Sequence, residues 1–282
     1  MSITGNTEVA ATKQDLIAAV VQKELKFSAK LLSTVTDVSQ FALPGMKSIS
    51  FPKLTSFTVE KRASGVAGTP QVLTSSADKL DLDENAYISW LIDSSDLIQS
   101  RIDYQLECAS RAAAAHGRQV DLDLIAELLA VAGLDVGPGP ITRDKILDAR
   151  EFLRKNDADL NNSVLVVAPT QEKAMLKIDE FTRAEVYGAG APIASGMIGR
   201  VYGMPVVIHN GLADGTALMY EKTGCAIGFQ RAPAYDEQKA IEYGTNAVLS
   251  AMDQLYGIKG MQLGEKSLLA TQSPLVVKMV TP

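Results

Sequence analysis

The feature that most limits this chain is a long extended stretch with too little apolar content to bury itself. Residues 48–54 (SISFPKL) and 57–62 (FTVEKR) alternate with the period of two that marks strands, and Pro52 confines the first to a sheet edge. Residues 63–76 (ASGVAGTPQVLTSS) are rich in turn formers, and a second extended run, 80–92, ends in Tyr87, Ile88, Trp90 and Ile92. These segments read as one two-stranded excursion. A lone hairpin is marginally stable in water, so this one is expected to find its partners on another subunit.

A long helix follows. Ile98, Ile102, Leu106, Ala109, Ala113, Val120, Leu124 and Leu128 step by three, four or seven, which lays one apolar stripe along a helix capped by Ser94 or Ser95 and running to about Ala132. Gly133, Gly137, Pro138, Gly139 and Pro140 break it. Ahead of the hairpin, residues 12–32 form an amphipathic helix with Leu16, Val20, Phe27 and Leu31 on one face; Thr12 and Asp15 suit its first turn.

Beyond the break the pattern becomes α/β. Thr142 opens a helix through Ile146, Ala149 and Leu153, SVLVVA (163–168) is a buried strand, and Pro169 stands where a helix start tolerates a missing N–H. Glycines at 188, 190, 196, 199 and 203 punctuate a loop that leads into the strand MPVVIH (204–209). Residues 217–220 and 225–229 are expected to pair as a hairpin. Polar strand-like runs follow from Ala234, then residues 246–256, with a last strand over 275–280.

Composition narrows the function. The 282 residues, 46% hydrophobic and 21% charged, are ample for a core, and no run approaches the roughly 20 apolar residues that span a bilayer. No signal-peptide pattern opens the chain, so no membrane partner is expected. Cys108 and Cys225 lie far apart, which implies neither a disulfide framework nor a zinc site and fits a reducing cytoplasm. Net charge is −6, and in the first forty residues Lys13, Lys23, Lys26 and Lys30 are balanced by Glu8, Asp15, Glu24 and Asp37. A protein that grips phosphates needs a basic arm or stripe, so strong direct nucleic-acid binding is disfavoured.

No catalytic, cofactor or metal site is expected. His116, in the long helix, and His209, at a strand end, are the only histidines, and no motif surrounds either. The GAGAP run from Gly188 lacks the third glycine and the preceding strand of a dinucleotide fingerprint. Asp81, Asp83 and Glu84 show no EF-hand spacing, and Asp121 and Asp123, two apart on a helix, do not face each other. The hairpin carries a charge split. Lys47, Lys53, Lys61 and Arg62 outnumber Glu60 on the outgoing limb; Asp78, Asp81, Asp83 and Glu84 outnumber Lys79 on the return. Two readings stand level: a hairpin that neutralises itself through cross-strand pairs, or a two-signed surface that orients a neighbour.

The order of elements resembles the Hong Kong-type coat fold of tailed phages, shared with the herpesvirus capsid floor and with encapsulins. The resemblance spans nearly the whole chain. Its local marks are VVAPTQEKAML (166–176), GRVYGMPVVIHNGL (199–212), GFQRAPAYDEQKA (228–240) and TNAVLSAMDQLYGIKGMQ (245–262). It implies an α+β phage major capsid fold with an N-terminal arm (1–46), an extended E-loop hairpin (47–92), a spine helix with the peripheral (P) domain (93–140), an axial (A) domain (141–233) and a return to the P domain (234–282).

The resemblance also implies an icosahedral shell of self-assembled pentamers and hexamers around double-stranded DNA, formed in a bacterial host's cytoplasm. The E-loop is expected to touch neighbouring copies through Lys53, Lys61, Arg62, Asp81, Asp83 and Glu84, and a capsomer-axis loop is expected from Gly188, Gly190, Gly196 and Gly199. Some relatives cross-link a lysine on the E-loop to an asparagine; nothing singles out Lys61 and Asn246 for that chemistry. Met1 stands about eleven residues ahead of the first helix, which leaves no room for a cleaved helical scaffold. A separate scaffolding protein is therefore expected, beside a portal and a possible decoration protein. The alternatives are an encapsulin-type compartment, distinguished by a cargo-peptide groove, and a small α/β enzyme.

Overall fold

The computed structural model describes residues 29–279 except 55–56, 58, 66, 73–74, 94–103, 138, 179–198, 244–246 and 261–274. The amphipathic helix expected over 12–32 and the Ser94 or Ser95 cap thus lie outside the described residues, apart from a short stretch at 29–32. In chain order the strands are β1 (Thr36–Asp37), β2 (Ser48–Leu54), β3 (Ser75–Asp81) and β4 (Glu84–Ile92). Helix α1 (Tyr104–Ala130), β5 (Leu134–Asp135), α2 (Arg143–Lys155), β6 (Ser163–Val167) and α3 (Pro169–Met175) follow. The rest are β7 (Arg200–Val201), β8 (Met204–Ile208), β9 (Ala217–Glu221), β10 (Ala226–Lys239), β11 (Val248–Lys259) and β12 (Val276–Met279).

A six-stranded mixed sheet, ordered β5-β12-β9-β6-β8-β7, is buried on both faces. Leu165, Val167, Met219 and Val277 point toward α2 and α3, where Ile146, Ala149, Leu153 and Met175 meet them. The alternate residues Val164, Val166, Leu218, Tyr220 and Val276 face Val120, Leu124 and Leu128 of α1. Double burial explains why SVLVV reads as an unbroken apolar run. Thr142 caps α2 by accepting from the Lys145 amide, and Pro169 occupies the first turn of α3. Between β7 and β8, Tyr202 (φ 48°) and Gly203 (φ 87°) make the paired left-handed turn that a two-residue hairpin requires.

Helix α1 has 27 residues, about 40 Å at 1.5 Å per residue, and Gly117 does not interrupt it. Its C-terminal half supports the six-stranded sheet. Its N-terminal half lies under a second sheet, ordered β1-β10-β11-β4. There Ala109, Ala112 and Ala113 let Met252, Ile88 and Trp90 pack close to the helix backbone.

The third sheet is the hairpin β2-β3 alone, paired from Ser48↔Asp81 to Leu54↔Ser75. Pro52 is accommodated because β2 has a single ladder partner among the described residues.

Three expectations are corrected. Residues 57 and 59–62 lie in no strand, because the hairpin ladder ends at Leu54 and nothing described pairs beyond it. The run 80–92 is two strands, not one. The chain turns at Leu82 and Asp83, where the Leu82 amide donates to the Lys47 carbonyl (2.9 Å), and β4 then joins β11 in the larger sheet. Residues 217–220 and 225–229 do not form a hairpin: β9 is flanked by β6 and β12, while β10 lies between β1 and β11. The short helical turn at Lys222–Gly224 carries the chain from one sheet to the other.

Candidate assembly surfaces

Among the described residues the hairpin is fastened at its root. Ile49, Leu80 and Leu82 pack with Val38, Ala42 and Ala226 in a small satellite core. Gly257 of β11 makes this approach possible, since a Cβ there would overlap the Asp81 carbonyl oxygen. Beyond the ladder, Phe57 is 70% exposed, Val59 89% and Val72 85%. Large apolar side chains so exposed on a projecting limb mark a surface that meets something else.

Within the ladder the charge split is not a set of cross-strand pairs. The register sets Asp81 opposite Ser48, Lys79 opposite Ser50, Asp78 opposite Phe51 and Lys53 opposite Ser76, so no opposite charges face each other directly. Asp81, Asp83 and Glu84 lie at the root, Asp83 in the turn and Glu84 at the start of β4. Lys61 and Arg62 lie on the exposed limb beyond the end of β2. Of the expected axis loop, Gly188, Gly190 and Gly196 lie outside the described residues. Gly199 is exposed just before β7, and its carbonyl accepts from the Val206 amide.

The arm is moored to α1 by a buried carboxylate that sequence spacing had set aside. Asp121, fully buried, accepts from the Lys30 amide (2.8 Å) and the Leu31 amide (3.1 Å). Its Oδ2 also lies 3.0 Å from His209 Nε2. The Gly211 amide donates to His209 Nδ1 (3.0 Å), so Nε2 carries the proton and donates to Asp121. Two residues on, Asp123 accepts from the Tyr256 hydroxyl, and Glu127 accepts from the Gly260 amide at 2.9 Å. One helix thus holds the arm base, the β8 end and β11 by three acids. The only sequence signal was the presence of aspartates on an otherwise apolar stretch of helix.

Burial shifts two titratable groups in opposite directions. His116 is buried, and burial lowers its pKa against the opposing pull of the Met252 carbonyl and Asp253. Burial pushes the Cys225 thiol up to about 12. Among the described residues no cluster of three or more His, Cys, Asp or Glu is placed to hold a metal, and no helix is long and apolar enough to cross a membrane.

An anchored hairpin, a long helix under two sheets and a compact α/β unit together define a viral coat-protein fold. Solved structures share it. A chain from Mycobacterium phage Che8 superposes with a TM-score of 0.73 at 19% identity, over 89% of this chain and 90% of that one. The capsid structure of the cyanophage P-SCSP1u gives 0.71 at 12%, over 88% and 86%. A virus-like particle from Pyrococcus furiosus gives 0.60 at 10%, over 95% and 99%. A comparison with curated proteins returns no match. The chain belongs to the phage capsid protein family, whose model matches residues 12–254. It is a structural, shell-forming major capsid protein.

Proposed function

We propose that this subunit closes as pentamers and hexamers into the icosahedral head of a tailed phage, around double-stranded DNA that it encloses without gripping by charge. The carrying observation is the hairpin: held by a few residues at its root, it presents Phe57, Val59 and Val72 to solvent. In an obligate assembly, where interfaces commonly bury about 2,000–5,000 Å² or more, that limb has a neighbour to cover it. The acidic root (Asp81, Asp83, Glu84) and the basic limb (Lys53, Lys61, Arg62) then act as the two signs of an orienting contact. The segment containing Gly188, Gly190, Gly196 and Gly199 is assigned to the capsomer axis. Assembly in the host cytoplasm with a separate scaffold, a portal and a decoration protein completes the reading, in which the chain carries no catalysis.

The particle from Pyrococcus furiosus keeps a compartment shell as the second reading, since that match covers nearly all of both chains, though at a lower TM-score. Electron microscopy and native mass measurement of the purified protein test both readings. Capsomers or closed shells support assembly, and DNA-filled heads in infected cells separate a phage shell from a cargo compartment. A compact monomer under all assembly conditions would defeat both.

A further inference from the structure

Strand β4 ends its sheet in an unusual way. It is nine residues long, ENAYISWLI, and β11 is its only ladder partner among the described residues. Soluble proteins blunt such edges with lysine, proline, bulges or brevity. β4 uses none of these: it contains no Lys or Pro, and its register with β11 is continuous from Glu84 to Ile92. The opposite edge of the same sheet, β1, is only two residues long. The open edge of β4 is therefore the anomaly.

Beside it runs a hollow of about 360 Å³, walled by residues 84–88 of β4 and by His116, Gln119 and Asp123 of α1. Its wall carries the carboxylates of Glu84 and Asp123 and no Lys or Arg. His116, 1% exposed, has an Nε2 with no hydrogen-bond partner among the described residues. On the outer face of the same edge, Tyr87 is exposed, as are Leu91 and its cross-strand neighbour Leu249.

The chain also contains a strand pattern without a strand. Phe57, Val59 and Lys61 alternate as a half-buried strand would, yet among the described residues they join no ladder and stand exposed. We infer that the limb around Phe57, Val59 and Lys61 of a second copy adds to the open edge of β4 as a fifth strand. Run antiparallel to β4, it brings Phe57 and Val59 beside Leu91 and Ser89, sets Lys61 beside Tyr87 on the outer face, and carries Arg62, on the face turned to α1, toward Glu84 and Asp123. Main-chain hydrogen bonds supply the hold and the alternate side chains the register, as in other strand additions. Partial burial, with Asp123 and then Asp83 nearby, raises the Glu84 pKa in the lone subunit, a tension that an incoming cation relieves. This inference rests on the shell reading and names the surface that one copy offers the next.

Hydrogen exchange on the full chain, as shells and as unassembled protein, tests it together with cross-linking. Alternate amides of β4 should exchange at least about tenfold more slowly in shells. Val59→Pro removes a ladder donor from the exposed limb and should abolish that protection with an unchanged melt of the unassembled protein, while Val59→Thr should keep it. In a Cys108→Ser background, Val59→Cys with Ser89→Cys should give a disulfide between chains. Shells whose β4 amides exchange as in the free protein would overturn the inference and leave the shell reading standing. So would protection already present in the unassembled chain, which would mean its own arm fills the edge, or protection in shells that Val59→Pro leaves intact. Failure of the wild-type chain to form any particle would sink the shell reading itself.

Discussion

Asp121 Oδ2 and His209 Nε2 lie 3.0 Å apart although 88 residues separate them in the chain, and the same carboxylate takes the amides of Lys30 and Leu31. This one acid therefore fixes the spine helix, the β8 end and the arm base together. Removing one partner of a buried charged network is costly, because it strands the others without solvent. Asp121→Ala should destabilise the protein by about 3–5 kcal/mol. Asp121→Asn, which still accepts hydrogen bonds, should cost less. Chemical denaturation of unassembled protein reads both, and equal small losses would show the network to be incidental.

Gly257 has the role of a missing side chain. The Asp81 carbonyl oxygen occupies the space a Cβ would need, and backbone cannot swing aside as a side-chain tip can. Gly257→Ala should therefore lever the hairpin root away from β11, costing about 1–3 kcal/mol or more. Faster exchange at the Leu82 amide, which bonds to Lys47, would report the displacement directly.

Acid should weaken the fold through His116. Its folded pKa lies below the ordinary 6.5, with burial the main cause. Above 6.5 neither state holds the proton. As pH falls through 6.5 the unfolded chain takes it up and the folded chain resists, so stability is lost from there down to the lowered folded value. Urea midpoints at pH 7.5 and 5.5 should differ more for the wild type than for His116→Gln.

Thiol chemistry separates the two cysteines. With its pKa pushed to about 12 by burial and then by Glu127, Cys225 carries about one thiolate in ten thousand at pH 8. A disulfide reagent should modify half-buried Cys108 in the native protein and reach Cys225 only on unfolding. Rapid native labelling of both would mean that the core around Cys225 opens readily.

Excising residues 59–72 should leave the cooperative melt of the unassembled protein unchanged, since none of them enters the buried clusters. Shell formation should fail. The excision stops short of residues 75–76, which pair with Leu54 and Lys53 and help hold the hairpin together.

Much of this fold was legible because local pattern and burial agree. The Ala109, Ala113, Val120, Leu124, Leu128 stripe and the run SVLVV each report a surface that is in fact buried. The errors arise where two identical local patterns have different partners. Residues 217–220 and 225–229 look like the arms of a hairpin, but neighbouring strands claim both, and partner choice is not written in a strand's own alternation. Asp121 was set aside because aspartates two apart on a helix diverge, which is true of that pair. Its partners come from Lys30, Leu31 and His209, a convergence that only the tertiary structure reveals. Of the expected contact residues, the hairpin register reaches only Lys53 and Asp81, which do not face each other, while three of the four axis-loop glycines fall outside the described residues.

The pairing of β1 with β10, β4 with β11 and β5 with β12 joins Thr36 to Ala226, Ile92 to Val248 and Leu134 to Val277. On the ribosome, then, these early strands emerge without partners and wait for the last quarter of the message to be read. Such non-local pairing slows folding and leaves apolar strands such as ENAYISWLI open to wrong neighbours meanwhile. Soluble yield should accordingly depend on synthesis temperature and chaperone supply, and nascent chains stalled before Val248 should remain sensitive to protease throughout their first half.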